Sequence, residues 1–290
     1  MSGPEFTSLR YETSGRKAYV TLARPERLNA IDAAMPGEIR RAVELANMDR
    51  AVHVIVVAGA GRAFCSGYDL KEFAEAGVGT QEAVWDPLRD FAAMKRNTDD
   101  FMSLFRSPKP TIAKVQGFAV AGGSDIALCC DLVVMADDAR IGYMPARVWG
   151  CPTTAMWVYR LGAEKAKRLL LTGDVIDGRQ AAEWGLVLES VPPTQLDDSV
   201  EELADRIAGV PTNQLAMQKL MINQAYENMG LGTTQVLATL LDGIARHSPE
   251  GRWFQAFAAE RGFHEAVAWR DSGKWIPEGG DPGSEDPPAR

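Results

Sequence analysis

Over the first two thirds of the chain, apolar residues come in short runs of period two or of no period; in the last third they recur every three or four positions. KAYVTLA (17–23) alternates and is β-rich, which predicts a strand, and the RPERLNAID that follows reads as a loop leading into a helix near 33–48. HVIVVAG (53–59) is nearly all apolar, as expected for a strand buried on both faces. Helical spacing through Phe91, Met94, Phe101, Leu104 and Phe105 predicts a helix over 85–106, ended by the Pro108–Pro110 pair. TIAKVQGFAV (111–120) and DLVVMA (131–136) predict two further strands, and ARIG (139–142) a short one. From about 153 the pattern turns helical in TAMWVYRLG, EKAKRLLLTG and DGRQAAEWG, the last two ending on Gly173 and Gly185 as C-caps. LVLESV (186–191) is the last strand expected, and helices are predicted near 196–209, 212–229, 232–246 and 250–268. The order is α/β first and all-α last, without tandem repeats at solenoid spacing.

Composition narrows the class. At 290 residues, with 46% hydrophobic and 24% charged positions, the chain reads as an ordinary soluble protein with no stretch of the ~20 apolar residues that a membrane span needs. The opening MSGPEFTSLRYE lacks both the basic start and the apolar core of a signal peptide, so a cytoplasmic location is expected. A net charge of −8 argues against nucleic acid as partner, because phosphate binding needs a concentrated basic face. Cys65, Cys129, Cys130 and Cys151 form no CxxC pair and have no histidine at metal-ligand spacing, which predicts reduced, mostly buried thiols and no metal. The last twenty residues (271–290) are rich in proline, glycine and acids and are expected to be disordered.

Two junctions carry candidate chemistry. VIVVAGAGRAFCSGYDLKEFAEAG (54–77) and TIAKVQGFAVAGGSDIALC (111–129) each run strand, glycine-containing loop, helix, with the first helix expected near Asp69. Each places backbone N–H groups without an intrahelical partner at a positive helix end. Gly67, Gly122 and Gly123 remove the Cβ that would obstruct close approach, so one N–H from each loop could bind a single oxyanion; tight turns and helix packing would equally account for glycine there. Asp125 leads the apolar run Ile126–Cys130. It could cap that helix, or it could act as general acid or base, since burial would raise its carboxyl toward the useful range.

From about residue 8 to 270 the sequence resembles the crotonase, or enoyl-CoA hydratase/isomerase, superfamily. RPERLNAID resembles the early family motif, RAFCSGYDLKEF the first oxyanion loop, KPTIAKVQGFAVAGGSDIALCCDLVVMADDARIG the second with its flanking strands, and AKRLLLTGDVIDGRQAAEWGLV the downstream helical signature. The resemblance implies an α/β fold, a crotonase-like spiral of β-β-α turns over 1–205, with an all-helical oligomerisation region over 206–270. It implies a homotrimer or a dimer of trimers, an acyl-CoA thioester as substrate, fatty acid metabolism as setting, and no cofactor beyond the coenzyme A of the substrate itself. By position, the N–H groups of Tyr68 and Gly122 match the oxyanion donors, and Tyr68, Asp69, Leu70 and Lys71 match the stretch along the CoA moiety. Asp125 stands where the first of two catalytic glutamates is found, one methylene shorter. The place of the second falls on Pro145, beside Ala146, so that acid is missing from its expected segment. Tyr143, Arg147, Trp149 and Cys151 match the acyl pocket, and Tyr143 is a candidate replacement proton donor.

The expected function is therefore hydratase- or isomerase-type chemistry on an acyl-CoA. Decarboxylation, C–C hydrolysis, and an acyl-CoA-binding member without hydratase activity are the alternatives. GAG (59–61) lacks the third glycine of a dinucleotide fingerprint, having Phe64 there. GGSD around Ser124 is not GxSxG, and His53, His247 and His264 are not natural partners for a serine nucleophile.

Overall fold

The computed structural model describes residues 6–77 and 84–277. Its framework is a six-stranded sheet of β1 (Leu9–Ser14), β2 (Lys17–Leu22), β3 (Val54–Gly59), β4 (Thr111–Val115), β6 (Leu132–Ala136) and β9 (Glu189–Val191), in that order. β1 and β2 form an antiparallel hairpin closed at Ser14↔Lys17 by Gly15 (φ +58°) and Arg16, and every later pairing in this sheet is parallel. Parallel pairing needs both faces covered, which is why all six residues of β3 are buried.

A second sheet holds β5 (Phe118–Val120), β7 (Arg140–Gly142) and β8 (Val175–Asp177). The run 111–120, expected as one strand, is thus two strands in different sheets. The bend falls at Gly117 (φ +61°), where a Cβ would lie 2.0 Å from the carbonyl oxygen of Arg62, so only glycine lets the chain turn so close to the 60–64 loop. The chain then repeats the step, from β6 in the first sheet to β7 in the second. This β-β-α winding agrees with the expected spiral.

Helices cover the sheets. α1 is Met35–Met48, and α2 is Pro87–Arg106, whose N-cap Asp86 accepts from the N–H groups of Leu88 and Arg89. α3 is Gly122–Cys129, with all eight residues buried. α4 (Met156–Leu161), α5 (Ala163–Thr172) and α6 (Gly178–Glu183) follow. α7 (Leu196–Ala208) buries Leu196, Val200, Ala204 and Ala208, a four-residue repeat that lays one stripe on the sheet. α8 (Thr212–Asn228), α9 (Leu231–His247), α10 (Pro249–Arg261) and α11 (Phe263–Asp271) complete the chain. The helix expected over 250–268 is broken by Gly262 (φ +87°). α8 is fastened from beneath: the buried Lys219 ammonium meets Asp131 Oδ2 at 2.7 Å and donates to the carbonyls of Leu104 and Lys109. Among the described residues no helix is long and apolar enough to cross a membrane. Of the tail expected to be disordered, 278–290 lies outside the described residues.

Candidate active site

The loop after β2 is a scaffold for the loop after β3. Asn29, fully buried with φ +53°, donates through Nδ2 to the carbonyls of Ala60 and Ala63, both at 2.8 Å, while its Oδ1 accepts from the N–H of Arg24. Ile31 donates to the Gly67 carbonyl and accepts from the Asp69 N–H. A parallel bridge Ile31↔Tyr68 of this kind uses the groups flanking Tyr68 and turns its own N–H to the opposite side.

The same loop is tied to β5. Cys65 bridges Ala119 in parallel, donating to the Phe118 carbonyl and accepting from the Val120 N–H. The two glycine-containing junctions therefore meet, and each glycine is required by the other loop. A Cβ on Gly67 (φ +91°) would stand 2.7 Å from Ala121 Cβ and 3.4 Å from the Gly122 nitrogen. One on Gly123 would stand 2.3 Å from the Cys65 carbonyl oxygen, and one on Gly122 3.0 Å from the Tyr68 ring. Residue 121 reaches this position with φ +53° and ψ −129°, a conformation costing of the order of 1–3 kcal/mol outside glycine.

α3 starts at Gly122, not at Ile126. Ser124 and Asp125 donate to the Ala121 carbonyl, so Asp125 is inside the first turn, where the N–H groups of Gly122 and Gly123 have no intrahelical acceptor. No side chain caps the helix, which rules out the capping role for Asp125.

The Asp125 carboxyl is 3% exposed, and its Oδ1 accepts from Thr154 Oγ1 at 2.5 Å. Burial pushes it from an ordinary 3.8 up to about 8; the Thr154 hydroxyl opposes that rise and the nearby Asp242 carboxylate adds to it. Thr154 is positioned by Gln235 of α9, which donates to its carbonyl, and the next residue, Ala155, is left-handed (φ +57°).

Other expected residues divide into two groups. Tyr143 is buried and close to Asp125 and Asp242, whose charges join burial in pushing its phenol upward; its hydroxyl donates to the Cys151 carbonyl at 2.8 Å. The Tyr68 ring lies edge-on to Phe73, with its hydroxyl within 3.5 Å of Asn97 Nδ2. Asp69 is buried and paired with Arg24, and Lys71 is exposed at the start of a π-type turn, Lys71–Glu75, where an α-helix was expected. Leu70 and Trp149 pack in a separate apolar cluster with Trp253 and Phe254. Arg147 is held by its own partners: its guanidinium meets the Thr172 carbonyl, Asp271 and Asp174.

Ser124 Oγ donates to the Ala121 carbonyl. The histidines are engaged elsewhere: His53 meets the Val210 carbonyl, His247 the Gly243 carbonyl and Trp85 ring, and His264 the Phe263 ring. That arrangement gives Ser124 no histidine partner and removes the serine-hydrolase reading. All four cysteines are free, with Cys151 the least buried. Thr154, Gln235 and Asp242 were not found from the sequence. The only trace of the last is the Asp242–Arg246 spacing of four on a helix.

A model of the enoyl-CoA hydratase/isomerase family matches residues 12–264. The chain belongs to this family. A crystal structure of an enoyl-CoA hydratase from Mycobacterium smegmatis is 48% identical and superposes with a TM-score of 0.88, over 93% of this chain and 95% of that one. An enoyl-CoA hydratase/isomerase from Xanthobacter autotrophicus Py2 is 32% identical with a TM-score of 0.83, over 92% of this chain and 98% of that one. The (E)-benzylidenesuccinyl-CoA hydratase of Thauera aromatica is 30% identical over 86% of this chain and 95% of its own length. The crotonase fold expected from the motifs is thereby shown.

Proposed function

We infer that this family member is an enzyme acting on acyl-CoA thioesters with enoyl-CoA hydratase-type chemistry. The N–H groups of Tyr68 and Gly122 bind the thioester oxygen, and Asp125 handles the proton. The observation that carries the reading is the Asp125 carboxyl, buried on the first turn of α3 and raised to about 8, beside two loops packed so tightly that only glycine fits between them. A thioester carbonyl gains negative charge on oxygen when its α-carbon becomes an enolate or its β-carbon is attacked. Two preorganised N–H donors stabilise that charge, each worth ~2.7–4 kcal/mol. A carboxyl that keeps its proton at neutral pH can then deliver it to carbon.

Tyr68–Lys71 lie along the CoA moiety in this reading, and Tyr143 closes the acyl side. Self-assembly into trimers is supported by α8 and α9, which expose Met217, Leu220, Met221, Leu237 and Leu240, apolar side chains of the kind a subunit contact covers.

The test is incubation with short, long and cyclic enoyl-CoAs, followed by mass. A gain of one water supports hydration, and an unchanged mass with a moved double bond indicates isomerisation. Asp125→Asn is expected to abolish turnover while acyl-CoA binding persists. No turnover by the parent protein on any member of the panel defeats the enzyme reading in favour of a binding protein.

A further inference from the structure

Adding water across a double bond requires a base to take a proton from water and an acid to give one to the neighbouring carbon. Near neutral pH Asp125 is protonated, which fits it for the second task and leaves the first without an owner. Pro145, in the segment where a second acid was sought, has none to offer.

The missing group comes from another part of the chain. Asp242, on α9, is 3% exposed, and its Oδ1 accepts from the N–H of Cys151 at 2.9 Å. A point one Cβ above Gly150 lies 3.2 Å from Pro145 Cβ, 3.3 Å from Asp242 Oδ1 and 3.4 Å from the Tyr143 hydroxyl. The α9 carboxylate, the Tyr143 hydroxyl and Pro145 therefore surround one point at Gly150. Asp242 is also close enough to Asp125 for its charge to help raise that carboxyl.

Its cationic partner does not belong to it alone. Arg246 is shared: its Nη2 meets both oxygens of Asp90 of α2 at 2.9 Å each, and its Nε donates to Asp242 Oδ2 at 3.0 Å. Two carboxylates, Asp242 buried and Asp90 half-buried, on one guanidinium leave an excess negative charge in the site, which costs stability. Gly243 preserves the arrangement, since a Cβ there would fall 2.4 Å from Asp90 Oδ2.

We propose that Asp242 is the second carboxylate of the active site, the base that activates water opposite Asp125; this rests on the hydratase reading above. Asp242 takes a proton from water as the oxygen bonds to the β-carbon, and the π pair moves to form the thioester enolate. The Asp125 proton then goes to the α-carbon and the thioester carbonyl re-forms. The pair ends with its one proton moved from Asp125 to Asp242, and solvent restores the starting state.

Two reactions separate catalysis from scaffolding: hydration of the best enoyl-CoA of the panel, followed by ¹⁸O uptake from labelled water, and exchange of the α-protons of the matching saturated acyl-CoA in deuterated water above about pH 8, where Asp125 is ionised and can take the proton. Hydration needs both carboxylates and exchange needs only Asp125 with the oxyanion donors. Asp242→Asn is expected to lower hydration by about a hundredfold or more while exchange stays within a few-fold of the parent. Asp125→Asn is expected to abolish both. Asp242→Glu, which keeps the charge but moves it by one methylene, should hydrate faster than Asp242→Asn and slower than the parent while keeping exchange, so it serves as the test if Asp242→Asn does not fold.

Hydration unchanged in Asp242→Asn overturns the role of Asp242 and leaves the function standing. Equal loss of hydration and exchange in either variant also overturns it, because that is what a purely structural tie would give. Absence of both reactions in the parent protein defeats the hydratase reading itself, and this inference with it.

Discussion

Asp125→Asn should stabilise the protein by an amount that grows with pH. In the unfolded chain the Asp125 carboxyl ionises at its ordinary 3.8; in the folded protein burial holds it to about 8. Between those values the native state binds a proton that the unfolded state has released, so the parent loses stability as pH rises through this window. Each pH unit of separation is worth 1.36 kcal/mol, which gives a penalty of about 4 kcal/mol at pH 7 and about 6 kcal/mol above pH 8. Asparagine carries no charge at any pH, and its carbonyl oxygen can still accept from Thr154 Oγ1. Paired urea or guanidinium unfolding curves of parent and variant, at steps between about pH 4 and pH 8, cancel the titration of every other group and leave this one. Any shape mismatch of the amide adds a constant; the slope against pH is the signature. A stability difference that stays flat across that range refutes the claim that a buried, protonated Asp125 sits on α3.

Further outcomes follow from the same geometry. If Asp125 acts as the acid, kcat/KM for hydration should fall as pH rises through about 8, where the carboxyl loses its proton; a rise there would make Asp125 a base and favour isomerisation. Gly67→Ala must place a Cβ at φ +91° and 2.7 Å from Ala121 Cβ, spoiling the approach of the two loops. It should cost about 2.7–4 kcal/mol in transition-state stabilisation, a hundred- to thousandfold in kcat, with a smaller change in acyl-CoA binding. Lys219→Met leaves the half-buried Asp131 beside an apolar chain and should lower unfolding stability by up to about 3 kcal/mol, read by denaturant titration, without a specific effect on KM. Leu220→Glu puts a charge on the exposed apolar face of α8 and should reduce the sedimenting mass if that face joins subunits.

Local patterns that reach the core directly were legible in the sequence. The unbroken apolar run of β3, the four-residue stripe of α7 and the spacing and proline stop of α2 each follow from what one face must bury, whatever the rest of the chain does. Gly67, Gly122, Gly123 and Asp125 were legible for a different reason: glycines before a helix and an acid in an apolar run are locally costly choices. β1 was missed because it is an edge strand with only Leu9 buried, so no alternation marks it. β8 was missed because three residues are too short to show a period.

What no stretch of sequence contains is which residues share a point in space. The glycines could have been serving turns alone; the packing of the 65–68 loop on β5 decides that each makes room for the other loop. The proton affinity of Asp125 follows from desolvation, opposed by the Thr154 hydroxyl and aided by the Asp242 charge, and desolvation exists only once the chain has closed over the site. Asp242 itself is, in sequence, one acid on an amphipathic helix four residues ahead of an arginine. Its burial beside Cys151 arises because α9 packs on α2, and that long-range contact is fixed by tertiary structure alone.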